Sequence, residues 1–224
     1  VAMRAATCVA ALLSAAPVRL RRCGNRGGFA ALSSSAARSS KGKILCLHGG
    51  GTNAEIMRVQ TAKLRHQLCD EAEFHFLEGE YSMLYVDPAI KKRFSGPFLS
   101  WYDVAHDAYE GRRNPSEYVN ALLDDSVTFT YPYADEAMAH VERHIEEHGP
   151  YDTLLGFSQG AILITLLTAA RLARRRAGTS APPDWRHVVL VCGMPVRANS
   201  FFHLFREPLD FPCTVAQGRE DFAY

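Results

Sequence analysis

Apolar residues along this chain fall into two rhythms. Residues 43–47 (KILCL), 153–155 (TLL), 187–192 (HVVLVC) and 212–216 (PCTVA) are short, nearly unbroken apolar runs, the pattern of strands buried on both faces. Residues 73–77 (EFHFL) alternate, as a strand with one covered face does. Between these runs the period lengthens. Over 55–70, Ile56, Val59, Leu64 and Leu68 recur at loosely helical spacing, and over 134–148 Ala134, Ala137, Met138, Val141 and Ile145 line one helix face. From Gln159 to about Arg174 the apolar residues surround the axis, which predicts a helix buried between a sheet and an outer layer. Strands alternating with helices predict an α/β fold, with a mostly parallel central sheet in a three-layer sandwich.

The breaks in the pattern carry as much information as the runs. Asp135 and Glu136 open the 134–148 helix and Gly149-Pro150 closes it. Arg171, Arg174, Arg175 and Arg176 crowd the end of the next one, where cations favour the helix dipole, so they need no nucleic acid to explain them. Ala181-Pro182-Pro183 reads as a linker. Between Gly79 and Pro132 regular periodicity fails and aromatic residues accumulate. A long aromatic insertion of this kind covers or lines a substrate pocket, and Trp101 and Phe98 are assigned to its wall.

Two glycine-bearing turns hold the candidate chemistry. Gly156-Phe157-Ser158-Gln159-Gly160 lies where a buried strand passes into the long helix. There the central residue takes a strained conformation with its hydroxyl held above the sheet, and its second neighbours must be small. This is the pattern of a nucleophile elbow. The second turn, His48-Gly49-Gly50-Gly51-Thr52-Asn53, follows the first buried strand, and such a loop brings backbone N–H groups close to a developing negative charge. The same stretch also fits a dinucleotide-binding G-x-G-x-x-A through Gly49, Gly51 and Ala54, with Glu78 placed to meet a ribose. That alternative leaves His48 and the Ser158 turn unused, and Thr52-Asn53 look like a polar loop before a helix. The hydrolase reading uses both turns as the two sides of one site.

Composition changes the picture at one place. A net charge of +1 over 224 residues conceals +7 in residues 1–42, from Arg4, Arg19, Arg21, Arg22, Arg26, Arg38 and Lys41 without a single acid, against −6 in the remainder. An acid-free segment rich in Ala, Ser and Arg is expected to be a disordered or targeting leader for a mitochondrion or plastid, with the folded domain occupying 43–224. The short apolar run 8–18 also allows a two-part plastid leader, and without a real leader the protein is cytoplasmic. No apolar run is long enough for stable membrane insertion. The six Cys show no paired spacing. Cys46, Cys192 and Cys213 are read as buried free thiols, which points to a reducing compartment. His140, His144 and His148 share one helix face, but no H-E-x-x-H pattern accompanies them. They are read as a solvated helix edge and not as a metal site.

In a Ser, acid, His chain order, the acid follows the strand after the post-elbow strand, which selects Asp221 over its neighbour Glu220. None of the nine His follows Asp221. The domain is therefore expected to be C-terminally truncated, with its catalytic His beyond Tyr224 and little activity in the chain as it stands. Together KILCLHGGGTNAEI and QTAKLR within 43–65, FHFLEGE at 74–80, GPFLSW at 96–101, GPYDTLLGFSQGAIL at 149–163 and GRED at 218–221 resemble the FSH family of serine hydrolases, the ovarian-cancer-associated serine hydrolase type, in the α/β-hydrolase superfamily. The resemblance implies a cofactor-free hydrolase of small-molecule acyl esters or thioesters. It also implies Ser158 as nucleophile, Asp221 as acid and an oxyanion hole built from the N–H groups of Gly50 and Gln159. The alternative is a catalytically inactive module that binds acyl ligands or protein partners.

Overall fold

The computed structural model describes residues 21–23, 41–83, 86–106, 121, 124, 126–179 and 185–218. In chain order the strands are β1 (Arg21–Cys23), β2 (Gly42–Leu47), β3 (Ala72–Leu77), β4 (Tyr81–Ser82), β5 (Leu99–Ser100), β6 (Ala105–His106), β7 (Phe129–Thr130), β8 (Thr153–Phe157), β9 (His187–Val191) and β10 (Cys213–Ala216). The helices are α1 (Ala54–Gln60), α2 (Ala62–Gln67), α3 (Pro88–Arg93), α4 (Ala134–His148) and α5 (Gln159–Arg176), with a 3₁₀ segment over Asn199–Phe205.

The short apolar runs are buried strands for the reason their composition suggests. In β2, Leu45 and Leu47 enter the core under α4 and α5, whereas Cys46 points to the opposite face with Met57 of α1. In β8, Leu154 and Leu155 divide in the same way. Helices on both faces of one sheet make the three-layer α/β sandwich that the sequence predicts. The sheet runs β1-β10-β9-β8-β2-β3, with every pair parallel except β1 against β10. From β2 the chain moves outward to β3 on one side, and the later strands β8, β9 and β10 build outward on the other. The order therefore reverses between β2 and β8. A crevice opens beyond the carboxyl ends of two such strands, and both glycine turns are attached there.

Helix α5 has eleven buried positions, from Gln159 to Leu172. Each fully buried Leu or Ile among them contributes roughly 1.5–3 kcal/mol of apolar burial, which anchors the strand-to-helix turn. Three of the four arginines at its end are occupied: Arg171 and Arg174 both pair with Glu142 of α4, and Arg176 reaches Glu207 and the Pro208 carbonyl. Among the described residues, no helix is long and apolar enough to cross a membrane.

Several expectations need correction. The 55–70 segment is not one helix, because it breaks at Thr61, whose hydroxyl donates back to the Met57 carbonyl. A side chain that competes for the backbone in this way favours an interruption. Val59 and Leu64 lie outward at 44% and 36% exposure, and the first helix buries Ile56, Met57 and Gln60 instead. His140 and His144 are not a solvated edge. His140 Nε2–H donates to the Glu78 carbonyl at 3.1 Å, and His144 lies 3.1 Å from the Tyr151 hydroxyl. Burial, then the neighbouring His148, His140 and His75, push the pKa of His144 below the ordinary histidine range. Cys192 belongs to a disulfide, while Cys46 and Cys69 are free. Within the expected leader, Arg21–Cys23 forms the antiparallel edge strand beside β10. Residues 1–20 and 24–40 lie outside the described residues, as do the 181–183 linker and 107–120 of the aromatic insertion.

Candidate active site

The elbow follows directly from the sheet. Strand β8 ends at Phe157 and α5 begins at Gln159, leaving Ser158 alone between them at φ 50° and ψ −113°. Its N–H donates to the Val191 carbonyl of β9 at 2.8 Å, and its own carbonyl accepts from Ala161 and Ile162 at 3.0 and 3.1 Å, starting the helix. A non-glycine residue in this part of backbone space costs on the order of 1–3 kcal/mol, and it persists only where its surroundings impose it. Here the imposing neighbours are a buried strand and an 18-residue helix. That helix points its positive dipole end at Ser158. Gln159 is its first residue, where a backbone N–H has no acceptor within the helix.

The glycine loop packs against this turn. A Cβ on Gly49 would come within 2.9 Å of the Phe157 ring, and one on Gly50 within 3.1 Å of Gln159 Oε1. Gly51 is the residue that needs glycine's conformational freedom, at φ 72°. Its N–H donates to the Leu99 carbonyl, and Leu99 N–H returns a bond to the Thr52 carbonyl, both at 2.8 Å. Asn53 caps α1 by accepting from Ile56 N–H at 2.8 Å, and its amide donates to the Pro97 carbonyl at 2.8 Å. The second half of the loop, Gly51 to Asn53, is thus stitched to residues 97–99. Glu78 Oε2 accepts from Ala54 N–H at 3.2 Å, so a carboxylate fills the helix start that a dinucleotide pyrophosphate would need.

His48 is a clamp. It is fully buried, and Gly79 N–H donates to its Nε2 at 2.9 Å. A backbone N–H can only donate, so the ring proton sits on Nδ1, which donates to the Gly49 carbonyl at 2.8 Å. Burial holds the pKa down at about 4, against a smaller upward pull from that bond to Gly49. Glu78 Oε2 lies 3.7 Å from Nε2, but its side chain is half in water and too screened to hold a proton there.

An unfolded His48 takes up a proton near pH 6.5 while the folded one resists until about pH 4. Stability is therefore complete above 6.5, and its loss on acidification finishes near 4, reaching about 3 kcal/mol in all. The part of the stability loss between pH 7 and pH 4 that H48N abolishes, read by urea denaturation, measures it.

The structure brings together Ser158, Gln159, Gly50 and Trp101. Trp101, expected as a pocket wall, is 1% exposed, and its N–H groups are bound to Gln159 Oε1 and the His48 carbonyl. It stands behind the loop as a support, because both of its polar handles are directed into the protein. Phe98 is half-buried on the segment that flanks the loop, with its carbonyl accepting from Met83 N–H at 2.9 Å. Asp221 and Glu220 lie outside the described residues. A cavity of about 450 Å³ beside α5 is lined by Thr165, Pro195, Val196, Phe202 and Phe205, a set that does not include Ser158. No group of three or more potential metal ligands occurs among the described residues. Sequence reasoning missed the side chains of His48, Gln159 and Trp101 as one connected set, since nothing local relates residues so far apart.

A family model described as serine hydrolase (FSH1) matches residues 37–224. Esterase FPY3 of Fusarium mangiferae is 31% identical over 160 residues, covering 68% of this chain and 58% of that protein. Esterase citA of Monascus ruber is 32% identical over 158 residues, covering 67% of this chain and 55% of that protein. The chain thus spans a little over half the length of these curated relatives. Among solved structures, acyl-protein thioesterase 2 of Zea mays aligns at TM-score 0.42 and 20% identity, over 86% of this chain and 69% of that one.

Proposed function

Because the chain belongs to the serine hydrolase (FSH1) family, we propose that it is the catalytic domain of a carboxylic-ester hydrolase acting on small acyl esters or thioesters through an acyl-enzyme on Ser158. The observation that carries this reading is the strained Ser158 between β8 and α5, with the glycine loop bound against the residue that follows it. In the proposed reaction, Ser158 Oγ attacks the acyl carbonyl while its proton passes to a general base. The carbonyl oxygen becomes an oxyanion held by the N–H groups of Gly50 and Gln159. Collapse breaks the ester or thioester bond, the leaving oxygen or sulfur takes the proton, and water then releases the acid by the same steps.

Asp221 is assigned to orient the base. His48 has both ring nitrogens bound by backbone groups, Nδ1 by the Gly49 carbonyl and Nε2 by Gly79 N–H, and His203 precedes Asp221 and holds Ser200 O through Nδ1 at 2.7 Å. Neither of these two rings is assigned as the base.

The test uses the full-length protein, a fluorophosphonate probe and p-nitrophenyl esters of increasing acyl length. The expected result is one probe adduct per chain, on Ser158, with ester turnover that the adduct abolishes. An unlabelled Ser158 in the folded full-length protein would sink the enzyme reading in favour of an inactive binding module.

A further inference from the structure

Trp101 joins the two elements whose separation defines an oxyanion hole. Its backbone N–H donates to Gln159 Oε1 at 3.0 Å, and its indole Nε1–H donates to the His48 carbonyl at 2.7 Å. Gln159 is the residue after the proposed nucleophile, and His48 opens the glycine loop. The Gln159 amide cannot be turned round, because its Nε2 donates to the Tyr102 carbonyl at 2.8 Å while its Oε1 receives Trp101 N–H. Gly50 passes directly over that amide, where even a Cβ would lie 3.1 Å from Oε1. The indole itself is immobilised, with its ring centroid 4.9 Å from that of His48, whose Nε2 is tied to Gly79.

We propose that Trp101 is a positioning residue, fixing the backbone N–H groups of Gly50 and Gln159 at the separation an oxyanion requires without itself touching the acyl group. The inference rests on the esterase reading above. Its physical basis is that such donors accelerate acyl transfer only when held in place before charge develops, and displacing them by a fraction of an ångström forfeits much of their effect. Neither the aromatic insertion nor the spacing of residues 48, 101 and 159 reveals this link in sequence.

The experiment compares wild type, W101F and Q159M in the full-length protein. Phenylalanine keeps most of the packing and the backbone N–H but removes the indole donor. The expected result for W101F is a kcat reduced about 10- to 30-fold, with KM within twofold of wild type. Because both side chains act on one pair of donors, the W101F/Q159M double variant is expected to lose little more than the worse single variant. A KM that rises while kcat stays constant would show direct substrate contact and overturn the proposal, as would an unchanged kcat. Amide hydrogen exchange over residues 48–52 is read in parallel. If wild type has no Ser158-dependent turnover, the esterase reading falls, yet exchange still decides the clamp: faster exchange in W101F supports it and unchanged exchange overturns it.

Discussion

Replacing Ser158 is expected to separate activity from stability in opposite directions. Both S158A and S158G remove the hydroxyl and should lower ester turnover by at least ~10³-fold, because the remaining binding groups and oxyanion donors give only residual rate. The two variants should nevertheless differ in stability. Alanine keeps a Cβ at φ 50° and retains the strain, whereas glycine adopts that geometry freely. Relief of roughly 1–3 kcal/mol is offset by the ~0.5–1 kcal/mol that glycine loses in unfolded-chain entropy. S158G is therefore expected to be more stable than S158A by about 1 kcal/mol, near the middle of the roughly 0–2.5 kcal/mol that this offset leaves, since both have lost the same hydroxyl and whatever it was bonded to. Urea denaturation of the two variants reads the difference directly. Equal midpoints would mean that the serine conformation is not imposed by the surrounding strand and helix.

The parts of the fold legible in sequence are those where one local rule dominates. β2, β8 and β9 could be located because strands buried on both faces must be apolar on both, and α4 because its apolar residues fall on one face at helical spacing. The elbow was legible because a serine held at φ 50° leaves little choice about its second neighbours. What was not legible depends on tertiary contact. Nothing around Thr61 announces that its hydroxyl turns back to Met57 or that the helix after it buries none of its residues. An aromatic such as Trp101 looks the same in sequence whether it faces a substrate or a loop carbonyl. Only the return of the 97–102 segment past His48 decides which. For His140 the deciding partner is likewise remote, a carbonyl at Glu78 on a different connection.

Gly160→Ala is the substitution in which local preference and tertiary contact disagree most. Gly160 is the second residue of α5, where alanine is the better helix former by up to about 1 kcal/mol, so propensity alone predicts a gain. A Cβ there would meet the Leu47 carbonyl oxygen in a severe overlap and the His48 carbonyl oxygen at 2.6 Å. Both obstacles are backbone, and Leu47 is a fully buried strand residue paired on both sides. No rotamer can therefore relieve the contact. The overlap acts along the line joining the elbow to the glycine loop, so the relaxation available is to push His48 and the loop away from α5. That movement strains the Trp101 bond to the His48 carbonyl and carries Gly50 away from Gln159. Overpacking of this kind costs about 2–4 kcal/mol, more than enough to reverse the helix-propensity gain. Turnover is expected to fall by roughly 10²-fold, as it does when one oxyanion donor is withdrawn. Gly156→Ala supplies the contrast, because its Cβ would strike Ala161 N and the Gly160 carbonyl group at 2.6 Å, within the elbow itself. If hydrogen exchange over residues 48–52 speeds up in G160A and not in G156A, the first glycine to follow Ser158 is there to let the loop and the helix start touch. Equal exchange in the two variants would instead reduce both glycines to a requirement of the turn alone.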